Sequence, residues 1–99
     1  RLMMRVEQFP FEWDDAKARR NISKHRVAFA EAATVFEDYL SVTIVDIMHS
    51  DDEERLITIG ASSGNRILVV IHTERGEWIR IISARDATQH ERRQYERGQ

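Results

Sequence analysis

The sequence contains no cysteine, one proline and four glycines in 99 residues. The lack of cysteine excludes disulfide frameworks, thiolate metal sites and cysteine nucleophiles, and it agrees with a reducing compartment, so we expect a cytoplasmic protein. The scattered glycines and lone Pro10 form no linker. With this length, they predict a single domain over residues 1–99, in which residues 1–8 are a candidate flexible tail.

Long apolar runs are also missing. The longest, residues 67–71, has five residues, whereas a membrane-spanning helix needs about 18. We therefore expect no contact with a membrane. Ligand spacings for metals are missing too, since the four histidines fall on different predicted elements and the acidic run 51–54 lacks the pattern of a calcium loop. We expect neither a metal nor a cofactor, and glycine-rich nucleotide loops are absent.

The charge of the chain is divided unevenly along its length. Residues 1–26 carry seven Lys/Arg and four Asp/Glu, residues 27–54 carry eight acidic residues and no Lys/Arg, and residues 55–99 carry eight Lys/Arg and five Asp/Glu. Basic segments attract phosphate and nucleic acid, and an acidic segment suits a basic partner. Solvated surface charge is the simpler explanation of any single run.

The hydrophobic pattern predicts the order α-α-β-β-β-β-α. Helical spacing and a capping Asp14 or Asp15 indicate helices over about 15–25 and 28–38, and β-branched runs indicate strands at 42–48, 55–61, 66–73 and 77–84. A capping box of Asp86 and Gln89 would start a last helix that reaches about Arg97. The predicted fold class is α+β, with two N-terminal helices, a four-stranded antiparallel sheet and a C-terminal helix.

Turn lengths predict which side chains share a face of this sheet. They place Arg55, His72, Trp78 and Arg80 on one face, opposite an aliphatic face that would lie under the first two helices. Two guanidiniums and an imidazole suit phosphate, and an indole can stack on a base. The alternative is that both arginines pair with carboxylates of the last helix and that His72 makes only a cross-strand contact.

Several short motifs follow one another along the chain. They are Phe11-Glu12-Trp13-Asp14 followed by Lys17, Asn21-x-x-Lys24-His25, His49 with Glu54-Arg55, the run from Ile79 to Arg85, and Glu91-Arg92 with Tyr95. In these motifs the chain resembles the BrnT family of toxins of bacterial type II toxin-antitoxin systems. The resemblance implies a RelE-like fold, a small ribonuclease, a cognate ribbon-helix-helix antitoxin, and operator DNA bound only through the antitoxin complex.

The chain departs from the family pattern after His25. Arg26-Val27-Ala28 stand where the family usually has Gly, Val and Ser. Glycine would adopt a left-handed conformation without strain, and serine would cap the second helix. Arg26 must therefore adopt that conformation itself, or the turn differs.

Cleavage of RNA without a metal needs a base for the 2′-hydroxyl, cations for the phosphorane charge and an acid for the leaving oxygen. We expect Arg55, Arg80 and Arg85 to stabilise charge, and His25 or Glu54 to act as acid or base. Lys24, His72, Trp78 and Tyr95 are the candidate RNA contacts.

Each assignment has a simpler alternative. Glu54 could form a surface pair with Arg55, His25 could cap or pack at its helix end, and Tyr95 could anchor the last helix. The alternative function is a non-catalytic module that binds nucleic acid or a protein partner.

Overall fold

The computed structural model describes residues 3–6 and 10–98. The strands are β1 (Met3–Val6), β2 (Phe11–Asp14), β3 (Val42–Val45), β4 (Leu56–Ala61), β5 (Ile67–Arg75) and β6 (Trp78–Asp86). The α-helices are α1 (Asp15–His25), α2 (Phe29–Ala33) and α3 (Gln89–Arg97), and two 3₁₀ turns cover Thr34–Glu37 and Ile47–His49. No helix in the described part of the chain is long and apolar enough to cross a membrane.

The described strands form one six-stranded sheet in the order β1-β2-β6-β5-β4-β3. β2 runs parallel to β6, with Phe11 beside Ile79 and Glu12 beside Arg80, and the other neighbours are antiparallel. The predicted fold class is therefore wrong: the sheet is mixed and larger than four strands, and strands precede the first helix. No strand was predicted at residues 11–14, and the parallel partner of this strand lies more than 60 positions away in the sequence.

The N-terminal segment contributes a strand at the edge of this sheet. β1 pairs with β2 from Met3 opposite Asp14 to Val6 opposite Phe11. Four residues of the expected tail 1–8 thus have regular backbone structure, while residues 1, 2, 7 and 8 lie outside the described part of the chain.

Hydrogen bonds of Asp14 and Arg26 set the two ends of helix α1. The Asp14 carboxylate accepts hydrogen bonds from the N–H groups of Ala16 and Lys17, at 2.9 and 3.4 Å, which caps the helix as predicted. At the other end Arg26 adopts a left-handed conformation with φ of 60°, and its N–H bonds to the carbonyl of Ile22. Arg26 thus takes the place of a C-terminal glycine.

The second predicted helix is shorter than expected. α2 ends at Ala33, and the chain continues as a 3₁₀ turn to Glu37. Both pack on one face of the sheet, and we call it the core face. The buried apolar cluster between this face and the helical segment consists of Phe11, Val27, Phe29, Ala32, Val35, Leu68, Val70, Ile81 and Ala84. Gly60 allows this close packing, because a Cβ there would lie 2.8 Å from Val35 Cγ1.

The strand register differs from the predicted one. A β-bulge lies between β5 and β6, where Ile71 pairs with Ser83 and His72 pairs with Ile81, so Ile82 is the extra residue. β4 is also shifted by one position, since Ile57 faces Ile71 instead of Val70. A shift by one residue exchanges the two faces. At the turn between β5 and β6 Arg75 pairs with Trp78, so His72 faces away from Trp78 and Arg80, and the shift of β4 turns it away from Arg55. The predicted common face for Arg55, His72, Trp78 and Arg80 is therefore wrong with respect to His72.

The C-terminal helix has a capping box two residues later than predicted. Thr88 accepts a hydrogen bond from the N–H of Glu91, and the Glu91 carboxylate accepts one from the N–H of Thr88. Asp86 and Gln89 do not form it. α3 ends at Arg97, as expected.

Candidate active site

We call the sheet face opposite the core the open face. Thr58, Val70 and Ala84 are in register on the core face, so their neighbours Ile57, Ile71 and Ser83 point to the open face. Arg55 lies two positions before Ile57, and Arg85 lies two positions after Ser83. The alternation of side chains therefore places both arginines on the open face.

Two adjoining clefts follow the open face and the flank of α1. The central cleft, about 360 Å³, is lined by Asp46, His49, Arg55, Ile57, Ile71, Ile82, Ser83 and Arg85. The basic cleft, about 270 Å³, is lined by Lys17, Arg20, Asn21, Lys24, His25, Ile82 and Ser83. Both include Ile82 and Ser83 at the bulge, so the two clefts form one continuous concave surface.

Asn21 fixes α1 against β6. Its amide nitrogen donates to the carbonyls of Val27 and Ala84, at 2.9 and 2.8 Å, and its oxygen accepts from the N–H of Ala84 at 3.1 Å. Because β2 pairs with β6 only at Ile79 and Arg80, the buried Asn21 side chain satisfies backbone groups further along β6. This contact holds the cationic side of α1 next to the bulge.

His49 is held by a carboxylate at the rim of the central cleft. Its Nδ1 lies 3.0 Å from Asp46 Oδ2, and the imidazole is largely exposed while the carboxylate is largely buried. A carboxylate on Nδ1 favours the tautomer with a free Nε2, the arrangement of a general base. Sequence reasoning quoted His49 only as part of a family motif. The Asp46-x-x-His49 spacing was the signal that could have identified the pair.

Arg55 is positioned by its backbone. Its N–H donates to Ser50 Oγ at 3.0 Å, and its carbonyl accepts from the N–H of Asp46 at 2.8 Å. These bonds close the loop that carries His49. Among residues 10–98, no carboxylate forms an ion pair with the Arg55 guanidinium, which lines the central cleft. Of the three predicted charge stabilisers, Arg55 is thus the one without a carboxylate in salt-bridge contact in that part of the chain. Its charge adds to the effect of the Arg75 hydrogen bond, which lowers the pKa of Glu53.

The other two predicted charge stabilisers are paired. Arg85 makes a two-pronged contact with Glu91 of α3, at 2.8 and 2.9 Å. This hydrogen bonding is the main cause that lowers the pKa of Glu91 to about 2 and raises that of Arg85. Arg80 donates through Nε to the buried Glu12 at 3.0 Å. Among the described residues, neither Arg55 nor Arg80 forms the ion pair with a last-helix carboxylate that the alternative required. Arg85 is the arginine that pairs with that helix, and Arg80 links β6 to β2.

The remaining candidates for acid, base and phosphate contact do not all lie at the clefts. Lys24 and the half-buried His25 line the basic cleft together with Lys17 and Arg20, which sequence reasoning did not single out. Glu54 is exposed and lines neither cleft. The structure thus brings His25 and Lys24 next to the bulge but does not bring Glu54 there.

His72 points into the core. It is 3% exposed, its Nε2 lies 2.7 Å from Thr58 Oγ1, and its ring meets the edge of Phe36 at 4.8 Å. Burial lowers its pKa to about 4, so the imidazole is neutral at physiological pH. His72 is a core histidine and is not part of the open face.

The two aromatic candidates lie away from the clefts. Trp78 is the first residue of β6, five positions from Ser83 or roughly 17 Å along the strand. The Tyr95 hydroxyl donates to Asp38 at 2.6 Å, which raises its pKa to about 12. Tyr95 therefore anchors α3 to the loop before β3, as its simpler alternative stated.

A carboxylate-held histidine, an arginine and a row of α1 cations on one concave surface suit a phosphodiester. They define a small α+β domain equipped to bind nucleic acid.

Comparison with known proteins identifies the family. Residues 13–91 match the family described as "Ribonuclease toxin, BrnT, of type II toxin-antitoxin system". The chain therefore belongs to this family, which confirms the resemblance inferred from the sequence motifs. The crystal structure of the Brucella abortus ribonuclease toxin BrnT is similar, with 35% identity and a TM-score of 0.58 over 78% of this chain and 94% of that one. Curated protein sequences gave no match.

Membership of the family confirms two predictions. The protein is an endoribonuclease of a toxin-antitoxin system, and its partners include RNA as substrate and an antitoxin protein.

Proposed function

We propose that this toxin cleaves RNA in the central cleft without a metal ion, through attack of the 2′-hydroxyl on the adjacent phosphate. The observation that carries the proposal is the His49–Asp46 pair beside the Arg55 side chain in one cleft. His49 Nε2 takes the proton of the 2′-hydroxyl as the O2′–P bond forms. The P–O5′ bond then breaks and leaves a 2′,3′-cyclic phosphate.

The leaving 5′-oxygen needs a proton, and we assign it to His25. This imidazole lies in the basic cleft, which meets the central cleft at Ile82 and Ser83. Two histidines on either side of a phosphate can work as base and acid, because an imidazole can accept a proton at one step and donate one at another. Glu54 is left out of the reaction because it lines neither cleft.

Arg55 stabilises the charge of the phosphorane. Its guanidinium can form two hydrogen bonds to phosphate oxygens, a geometry that lysine cannot reproduce. Arg85 lines the same cleft but shares its charge with Glu91, so we assign it an auxiliary contact. Arg80 is left out because it is committed to the buried Glu12.

The basic cleft binds the RNA backbone next to the cleaved bond. Lys24, Lys17 and Arg20 line it, and phosphate contacts of this kind position a strand without reading its sequence. Such binding weakens with salt because counterions are released.

The proposal extends to partners and location. The antitoxin is a ribbon-helix-helix protein, the toxin reaches operator DNA only through the complex with it, and both act in the cytoplasm. Co-expression with the neighbouring small open reading frame is expected to yield a complex and to relieve growth arrest. A product that neither copurifies nor protects the cells would contradict the toxin-antitoxin part of the proposal.

Incubation of the pure protein with bulk RNA tests the reaction. We expect new 2′,3′-cyclic phosphate ends, at an unchanged rate in EDTA, because arginine and histidine supply the charge and the proton transfers. Activity that EDTA abolishes and a divalent ion restores would contradict metal independence. Binding of RNA without new ends would favour a non-catalytic module instead.

A further inference from the structure

The segment around β3 exposes an apolar surface. Seven large apolar side chains of the described residues are exposed, and six of them lie between positions 39 and 48. They are Tyr39, Leu40, Ile44, Val45, Ile47 and Met48, and the last two are more than 80% exposed. We call these six residues the β3 patch. Exposed apolar residues concentrated in one segment mark an interaction site more often than single exposed residues do. Because side chains alternate along a strand, Ile44 and Val45 lie on the two faces of β3.

β3 also leaves backbone groups open. It is the outermost strand on its side of the described sheet. Asp46 N–H bonds to the carbonyl of Arg55, and antiparallel strands repeat such bonds at every second residue, so Ile44 and Val42 also bond to β4. The peptide groups of Thr43 and Val45 therefore point away from β4, where another extended segment can pair with them.

The charge of the region selects the kind of partner. The patch lies in residues 27–54, which contain eight acidic residues and no Lys/Arg. Exposed carboxylates flank it at Glu37, Asp51, Asp52 and Glu54. A second copy of the chain on the same edge would oppose like charges, whereas a segment that alternates apolar and basic residues satisfies both the patch and the acidic rim.

We propose that the β3 edge is the docking site of the antitoxin, which adds an extended, basic and amphipathic segment as a further strand. The proposal rests on the toxin-antitoxin pairing stated above. The 3₁₀ turn after β3 connects docking to inhibition, because Ile47 and Met48 belong to the patch and the next residue, His49, lines the central cleft. A segment seated on this turn lies against the rim of the cleft and obstructs RNA.

Two variants test the two components of the site. Val45→Pro removes an outward N–H while the bonds of Ile44 and Asp46 to β4 remain, and edge strands tolerate proline. The double variant Ile47→Ser/Met48→Ser removes the apolar contact. Ile22→Ser is the matched control, because Ile22 is the one large exposed apolar residue of the described chain outside the patch.

Binding is measured by calorimetry with the product of the small open reading frame beside this gene. We expect Val45→Pro and the double serine variant to weaken binding at least tenfold, with thermal unfolding and RNA cleavage close to wild type. Ile22→Ser is expected to bind like wild type. Hydrogen exchange is expected to show protection of the Thr43 and Val45 amides in the complex.

Several outcomes overturn the proposal. One is wild-type affinity of both folded variants, another is unprotected Thr43 and Val45 amides, and a third is absence of binding to the wild type. A wild-type dimer that Val45→Pro dissociates would mean that a second copy occupies the edge. The binding measurements do not depend on the proposed reaction. If the wild-type protein did not cleave RNA, the affinities of the variants could still be compared.

Discussion

The two faces of the sheet use the same residue types for different purposes. On the core face, His72 is buried against Phe36 and hydrogen-bonded to Thr58. At the rim of the open face, His49 is exposed and held by Asp46. Residue type alone therefore does not distinguish the two histidines. Exposure and an orienting carboxylate make His49, and not His72, the candidate base.

The arginines show the same contrast. Arg80 is committed to the buried Glu12 and Arg85 to Glu91 of α3, whereas Arg55 lines the central cleft with no such pair among residues 10–98. A guanidinium in an existing ion pair must exchange that partner to bind phosphate. Arg55 needs no exchange of this kind, so it is the stronger candidate for the reacting phosphate.

The largest expected effect concerns His49. His49→Gln removes the proposed base, and general acid–base catalysis contributes about 10²- to 10⁴-fold, so RNA cleavage is expected to fall by that range. The melting temperature is expected to change little because the side chain is exposed. Wild-type cleavage by folded His49→Gln protein would remove the base from the mechanism.

His72 is expected to affect the pH dependence of stability and not RNA cleavage. Its pKa of about 4 in the folded state lies below the ordinary 6.5, so between these values the unfolded chain binds a proton that the folded chain does not. The free energy of unfolding is therefore expected to fall by up to about 3 kcal/mol as the pH drops from 6.5 to 4.

Urea unfolding across this pH range provides the measurement. His72→Gln is expected to reduce the pH dependence of the free energy of unfolding. His49→Gln, which replaces an exposed histidine, is the matched control and is expected to show the wild-type dependence. Equal slopes in the wild type and His72→Gln would show that burial of this imidazole is not the cause.

The Arg85–Glu91 pair gives a smaller effect at lower pH. Because the pKa of Glu91 is lowered to about 2, its contribution is present above the ordinary 4.5 and is lost as the pH falls towards 2. Arg85 is 40% exposed, so after solvent screening we expect only about 1 kcal/mol. Glu91→Gln at pH 7 is expected to lower the melting temperature by about 4–8 °C.

Glu96→Gln, an exposed change on the same helix, is the control for this loss. If both variants melt alike at pH 7, the ion pair contributes nothing measurable to stability.

Local signals were sufficient for the helices and most of the strands. The Asp14 cap, the apolar spacing of α2 and the β-branched runs of β4 to β6 lie within short windows of sequence. The parallel pairing of β2 and β6 depends on contacts between distant segments, which periodicity does not contain. Strand β1 lies within residues 1–8, for which a flexible tail was predicted.

The candidate site was predictable in part for the same reason. Alternation within each strand relates Arg55 to Ile57 and Arg85 to Ser83. The register between the strands, which alternation does not determine, places the two arginines on one face. The turn between β5 and β6 pairs Arg75 with Trp78, so His72 lies on the face opposite Trp78 and Arg80. The one-position shift of β4, which pairs Leu56 with His72, turns it away from Arg55 as well. The role of His49 depends on a loop closed by Ser50 and Arg55, where no regular period applies.

The central claim is that Arg55 of the central cleft holds the reacting phosphate and that Arg80, which is paired with Glu12, does not. Thermal unfolding and RNA cleavage measured on the same Arg55→Ala and Arg80→Ala samples test it, with the exposed Arg93→Ala of α3 as control. We expect Arg55→Ala to cleave at least about tenfold more slowly at near wild-type stability, since a charge-assisted hydrogen bond of about 1.5–3 kcal/mol is lost. We expect Arg80→Ala to unfold at a lower temperature, because the buried Glu12 loses this ion pair, while its folded fraction cleaves normally. Wild-type cleavage by Arg55→Ala together with inactive, folded Arg80→Ala would contradict the account.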